Sequence, residues 1–415
     1  MKILMLGWEL PPHYAGGMGT VCYSLSKHLA ESGADIDFIL PFEADYSEVT
    51  FMRVNPKYSK RLVRKPLTYR HLQQIQATVY GKVKFEDQYV ESGMTINYDM
   101  IQSQYLKKVK DAVTNKEFDV VHAHDWLTLR AGMLAKQMTG IPLIIHIHAT
   151  EFDRSGADDK TYGNPTIHDI EYEGMMMADR IVAVSQWTKD LIVRRYDIPS
   201  DKIDVIHNSI DLYSPYLVES TNKDIYRYIV KMKEQGYKLI FNVGRHSIQK
   251  GLIGLLEAAK LALDIDPKLL FLFIGGGDMH EELISKSAEL GISGNVIFTG
   301  FKNGSYLRQA FINADLFIMP SVSEPFGTTV LEAVGFGTPA IVSKQSGVAE
   351  IINGAIKLDF WDTVQMADAI VSVVKNPSLS ETMVQSSYID FNKQSWDLAA
   401  HKTKITYQNA MGAFV

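Results

Sequence analysis

The segment Pro320–Glu332 reads Pro-Ser-Val-Ser-Glu-Pro-Phe-Gly-Thr-Thr-Val-Leu-Glu, so two carboxylates, Glu324 and Glu332, bracket Gly327, Thr328 and Thr329. A glycine and two hydroxyl residues opening a helix present free amides and the positive end of a dipole, which suits a phosphate. One carboxylate is then spaced to reach hydroxyls near the phosphates and the other to reach hydroxyls farther away. Upstream, Gly244-Arg245 follows an apolar run and Lys250-Gly251 opens the next helical stretch. Arginine grips a diphosphate through paired N–H groups, and lysine adds a point charge. Gly275-Gly276-Gly277 follows the next apolar run, where glycines allow close backbone approach. Together these residues suit the handling of a diphosphate and of hydroxyls beside it.

The N-terminal half offers histidines. His122-Ala-His124-Asp125-Trp126 and His146-Ile-His148-Ala-Thr-Glu151 each end an apolar run. Residues i and i+2 of a strand share a face, which raises a metal reading and with it a metal-dependent hydrolase. The favoured reading packs one histidine of each pair inward and turns the other to a cleft, with no metal. The single cysteine, Cys22, rules out a multi-cysteine site and is expected to be a buried helix residue. Asp35-Ile-Asp37 and Asp264-Ile-Asp266 are expected to be turn residues. Gly16-Gly17-Met18-Gly19 is a glycine loop able to approach an anion, but it lacks the dinucleotide spacing G-x-G-x-x-G.

Such residues need a scaffold that brings loops together. The chain repeats a short apolar run, a glycine- or aspartate-marked loop and an amphipathic helix. Runs at 3–7, 35–40, 118–123, 141–147 and 180–184 form one series. Runs at 238–243, 268–274, 295–299, 316–319 and 339–342 form a second. Val, Ile, Leu and Phe without alternation belong to parallel strands covered on both faces. The expectation is α/β, with two Rossmann-like doubly wound domains facing across a cleft. The boundary falls near residue 210, giving domains 1–210 and 211–395, with a helix at about 396–415 packing back on the first.

The 415 residues carry 42 basic and 48 acidic side chains, a net charge of −6, which argues against holding nucleic acid through overall charge. No run reaches the length of a membrane span, and Met1–Gly7 is too short for a signal-peptide core. A reduced, cytoplasmic enzyme fits best. Arg53–Lys84 holds nine Lys or Arg and no Asp or Glu. That stretch reads as a solvated insertion, with an anion-facing or peripheral membrane surface as the sharper alternative.

Several segments together resemble a known family. Gly7-Trp-Glu-Leu-Pro-Pro-His13, the Gly16–Gly19 loop, His122–Thr128, His148–Gly156, Ala178–Ser185, His207-Asn208, Gly244-Arg245 through Lys250, and Glu324 through Glu332 are similar to retaining glycosyltransferases of family four, within them the glycogen/starch synthase-like branch. The resemblance implies a GT-B fold, no cofactor, and transfer of glucose from UDP- or ADP-glucose to an α-glucan. A small sugar, a sugar phosphate or a lipid-linked glycan is the alternative acceptor. It implies that Arg245 and Lys250 hold the diphosphate with Gly244 and the amides of Gly327, Thr328 and Thr329. It assigns Glu324 to the transferred hexose and Glu332 to the ribose. It sets His148 near the sugar, Asp125 toward the acceptor, and Gly16, Gly17 and Gly19 over the phosphate. Related bacterial glycogen synthases carry Lys-Thr-Gly-Gly where this chain has Tyr14-Ala15-Gly16-Gly17, which leaves the acceptor open. A silent scaffold would lack Glu324, Arg245 or Lys250, and all three are present.

Overall fold

A computed structural model describes residues 1–13, 16–58, 89–91, 94–156, 163–212, 224–302 and 304–412. The first sheet contains β1 (Lys2–Leu6), β2 (Asp35–Ile39), β3 (Arg53–Val54), β6 (Val120–His124), β7 (Leu143–Ile147), β8 (Arg180–Ala183) and β9 (Ile203–Val205). The intervening β4 (Tyr89–Glu91) and β5 (Met94–Ile96) form a separate antiparallel pair. The second sheet contains β10 (Lys238–Val243), β11 (Leu269–Ile274), β12 (Val296–Phe298), β13 (Leu316–Met319), β14 (Ala340–Ser343) and β15 (Ile356–Leu358). Every pairing within the two large sheets is parallel. All ten apolar runs read from the sequence lie in these strands.

Strand order fixes where ligands can sit. The first sheet runs β3-β2-β1-β6-β7-β8-β9 and the second β12-β11-β10-β13-β14-β15. In each, the order reverses beside the first strand, between β1 and β6 and between β10 and β13. Crossovers leave that point in opposite directions, so a crevice opens beyond the carboxyl ends. Both sheets are covered on both faces, which is why β11 (Leu-Leu-Phe-Leu-Phe-Ile) is buried at every residue.

The helix Trp396–Gly412 lies far from the second sheet in its contacts. Trp396, Ala399, Ala400 and Tyr407 join the cluster formed by Ile3, Met5, Val21, Cys22 and Leu25, on the helix Gly17–Glu31 side of the first sheet. Thr406 Oγ1 donates to Asp204 at 2.8 Å. Cys22 is fully buried, and burial raises its thiol pKa.

Two sequence expectations need correction. Asp37 is not a turn residue: it is buried within β2, where Arg53 Nε and Lys116 Nζ donate to it at 2.6 and 3.0 Å. The histidine expectation fails for one pair: His146 is buried and His148 partly exposed, as expected, but His122 and His124 are both fully buried. Tyr14, Ala15 and residues 59–84 of the basic stretch lie outside the described residues, as do residues 413–415 of the expected C-terminal helix. No described helix is long and apolar enough to cross a membrane.

Candidate active site between the two sheets

At the second switch point, the loop after β10 meets the loop after β13. Lys250 Nζ and Glu324 Oε2 pair at 2.5 Å, and Ser321 Oγ donates to the same oxygen at 2.9 Å. Val322 N donates to Gln249 O, and Gln249 Nε2 donates to Ser323 O, lacing the loops together. Arg245 reaches Gln249 Oε1 at 3.5 Å, so the guanidinium lies beside the same turn. Gly251 must be glycine: its φ is +64°, and a Cβ would come 2.1 Å from Pro320 O. Gly327 holds φ +101° directly before the helix Thr328–Gly335, whose N-terminus has no side-chain cap. Glu332 stands one turn inside that helix, on the face of Thr328. Burial pushes its carboxyl up to about 7.

The first switch point faces it with a different chemistry. Asp125 has φ +56°, an uncommon backbone for a non-glycine residue, and caps the helix Trp126–Thr139. Its Oδ1 accepts from His148 N at 2.6 Å, tying the loops after β6 and β7 together. His148 Nε2 meets His124 Nδ1 at 2.9 Å, and His124 Nε2 meets Met5 Sδ at 3.0 Å. A thioether only accepts, so His124 carries its proton on Nε2 and its Nδ1 accepts from His148 Nε2–H. Neutral His148 is thereby left with a bare lone pair on Nδ1. Burial holds His148 and the three histidines behind it below the usual imidazole range.

His122, His124 and His146 bring ring nitrogens within 4.8 Å of one another. Their planes lie within 7–27° of parallel, so their in-plane lone pairs do not converge on one point. Cation binding would require the rings to turn. Tyr407 OH and His122 Nδ1, 2.6 Å apart, instead tie the C-terminal helix to the base of this cluster.

The glycine loop has an occupant from its own chain. Glu9 Oε1 accepts from Gly19 N at 3.0 Å, and a Cβ on Gly16 would lie 2.7 Å from that oxygen. Gly17 has nothing within 4 Å of its Cβ position. Glycine at 16 and 19 thus admits the buried Glu9 side chain, while Gly17 leaves open space.

The loop carrying Glu324 is also gripped from the other domain. Ser323 Oγ donates to Asp153 at 2.5 Å, and Ser185 Oγ donates to Pro325 O at 2.6 Å. Glu350 accepts from the amides of Gln186 and Trp187 at 2.9 and 2.6 Å, and lies 3.0 Å from His207 Nε2. The sequence reading missed Glu9, Asp153, Ser185, Ser323, Glu350 and Tyr407. Asp153 had a signal, since Thr150-x-x-Asp153 forms a capping box. Tyr407 had none.

Residues 228–389 match Glycosyl transferases group 1, and residues 90–213 match Glycosyltransferase Family 4. An uncharacterized glycosyltransferase of Methanocaldococcus jannaschii is 29% identical over 420 residues, spanning 99% of both chains. A glycogen synthase of Mycobacterium tuberculosis is 25% identical over 392 residues, covering 93% of this chain and 89% of the relative. Among solved structures, Anabaena HepE in complex with UDP and glucose superposes with TM-score 0.68 at 16% identity, covering 98% and 99% of the chains. The chain belongs to the group 1, family 4 glycosyltransferases and has their two-domain GT-B architecture.

Proposed function

We propose that this glycosyltransferase is a retaining enzyme that moves glucose from UDP- or ADP-glucose onto an α-glucan, as a glycogen synthase does. Residues 1–210, with the helix Trp396–Gly412 returned to them, take the acceptor side, and residues 211–395 take the donor. One observation carries the reading: Lys250 and Glu324 pair at a strand-order reversal, with Arg245 beside the same turn and an open helix N-terminus following. The glycogen synthase relative and the UDP and glucose of the HepE structure support the donor class.

The roles follow from charge. Breaking the anomeric C–O bond builds positive charge on the sugar and negative charge on the departing diphosphate. Arg245, Lys250, Gly244 and the amides of Gly327, Thr328 and Thr329 meet that negative charge with groups already in place. Glu324, preset by Lys250 and Ser321, accepts from hexose hydroxyls. Glu332 accepts from the ribose diol, and Gly17 leaves room for the phosphates. His148 stands near the hexose on the opposite wall, and Asp125, which accepts from His148 N, lies toward the acceptor. The acceptor oxygen attacks on the face the diphosphate leaves, and its proton passes to the departing phosphate oxygen.

The test is a matrix of sugar nucleotides against acceptors, read by nucleoside diphosphate release and product size. Release with UDP- or ADP-glucose and glycogen, with chain extension, is expected. No release from any glucose donor with glycogen refutes the reading. Release only with a sugar phosphate or lipid-linked acceptor moves it to that class.

A further inference from the structure

We propose that Trp361, on the rim of the second domain, is a binding platform for an uncharged glycan chain, separate from the transfer site. The indole is 62% exposed and lies in the loop after β15, at the same carboxyl edge as the Glu324 loop. Only β14 separates β13 from β15, so the strands that carry the two loops run about 10 Å apart. They are also linked through hydrogen bonds: Glu324 N donates to Gln345 O at 2.9 Å, and Gln345 Nε2 donates to Asp359 at 3.0 Å.

The exposed indole is held still. The edge of Phe360 meets it at 4.9 Å and 84°. Asp362 N donates to Asp359 O at 3.0 Å, and Thr363 N donates to Trp361 O at 3.1 Å, closing the loop into a tight turn. Beneath it, Phe360 O lies 3.4 Å from the Cβ position of Gly254, so the turn rests on the helix Leu252–Ile265. A flat aromatic face kept exposed and preorganised binds a flat apolar surface at little entropic cost.

The surroundings select the occupant. Lys344 Nζ pairs with Asp359 at 2.8 Å, and Asp362, whose Oδ1 accepts from Gln365 N at 2.9 Å, leaves a single negative charge beside the indole. An apolar plate ringed by donors and acceptors with no cluster of cations fits a pyranose ring, whose C–H face stacks while its hydroxyls donate to the rim carboxylates. A lipid surface would call for clustered basic groups, and a protein partner for several hundred Å² of contact. The glucan identity of the chain rests on the function proposed above. The platform would hold a polymer near the cleft and raise the local concentration of its ends.

Affinity electrophoresis in native gels with and without glycogen tests this. The wild type should be retarded by glycogen, Trp361→Phe should keep most of the retardation, and Trp361→Ala should weaken binding by about tenfold, the scale of one lost stacking contact. In kinetics with glycogen, Trp361→Ala should raise KM and leave kcat within twofold. Equal retardation of wild type and Trp361→Ala, or none for the wild type, overturns the platform. The transferase reading fails on a separate measurement, nucleoside diphosphate release, so the two can fall independently.

Discussion

Glu332 places a carboxyl where burial works against its charge, and its pKa rises from the usual 4.5 to about 7. Replacing it by glutamine leaves an uncharged group of the same shape and exposes the energetic cost of that burial. Below pH 4.5 the carboxyl is protonated in folded and unfolded chains alike, so wild type and Glu332→Gln should be nearly equally stable. Between 4.5 and about 7 the unfolded chain releases the proton and the folded chain keeps it, so wild-type stability falls as pH rises. At about 1.36 kcal/mol per pH unit the loss reaches about 3 kcal/mol, constant above pH 7. Chemical denaturation of both proteins without nucleotide, at pH 4.5, 6 and 8, reads the difference directly. Glu171, also raised to about 7 by burial, is common to both chains and cancels. The expected result is a Glu332→Gln advantage absent at pH 4.5 and near 3 kcal/mol at pH 8. Donor KM should meanwhile improve with rising pH through about 7 in the wild type and stay flat in the variant. A stability difference that does not change between pH 4.5 and 8 would falsify the reasoning.

Three further outcomes follow from the same contacts. Lys250→Ala and Glu324→Ala should each lower transfer by roughly 10²–10³, the scale for one preorganised electrostatic group, as read by nucleoside diphosphate release. Near-wild-type turnover in both would sink the donor-site assignment. Tyr407→Phe leaves His122 Nδ1 buried without its partner and should cost about 1–3 kcal/mol in urea unfolding. An unchanged midpoint would mean the bond contributes nothing. Glu350 has a lowered pKa: burial opposes its charge, but His207 and the Gln186 and Trp187 amides prevail. A depressed carboxylate stabilises above its unfolded value and loses that contribution as pH falls through its folded value. Glu350→Ala should therefore cost about 1–2 kcal/mol at pH 7 and progressively less in acid, and an equal cost at pH 3 and 7 would contradict it.

The elements legible in the sequence were those whose residues report burial by themselves. Leu269–Ile274 can only be an interior strand, and Gly327 before two threonines announces a helix start. The elements missed were short edges such as Arg53–Val54, Ile203–Val205 and Ile356–Leu358, whose strand character comes from a neighbour's hydrogen bonds. The first histidine pair was misread for a related reason. Period-2 spacing puts His122 and His124 on one face, but that face is interior because Tyr407, 285 residues away, covers His122, and Met5 and His148 cover His124.

The same distinction explains which parts of the site were visible. Arg245, Lys250, Glu324 and Glu332 announce themselves because charged residues beside glycines have few structural uses in a buried loop. Ser185, Ser323 and Asp153 do not, since hydroxyls and capping aspartates occur at most helix starts. Yet these quieter residues hold the loop on which Glu324 stands, with Ser323 bonded to Asp153 and Pro325 O to Ser185 of the opposite domain. Glu324 sits between those two anchors, so its position depends on contacts from both domains. A substitution that frees Ser323 or Pro325 should therefore disturb the Lys250–Glu324 pair without touching either residue, which would make the domain contact itself part of the proposed donor site.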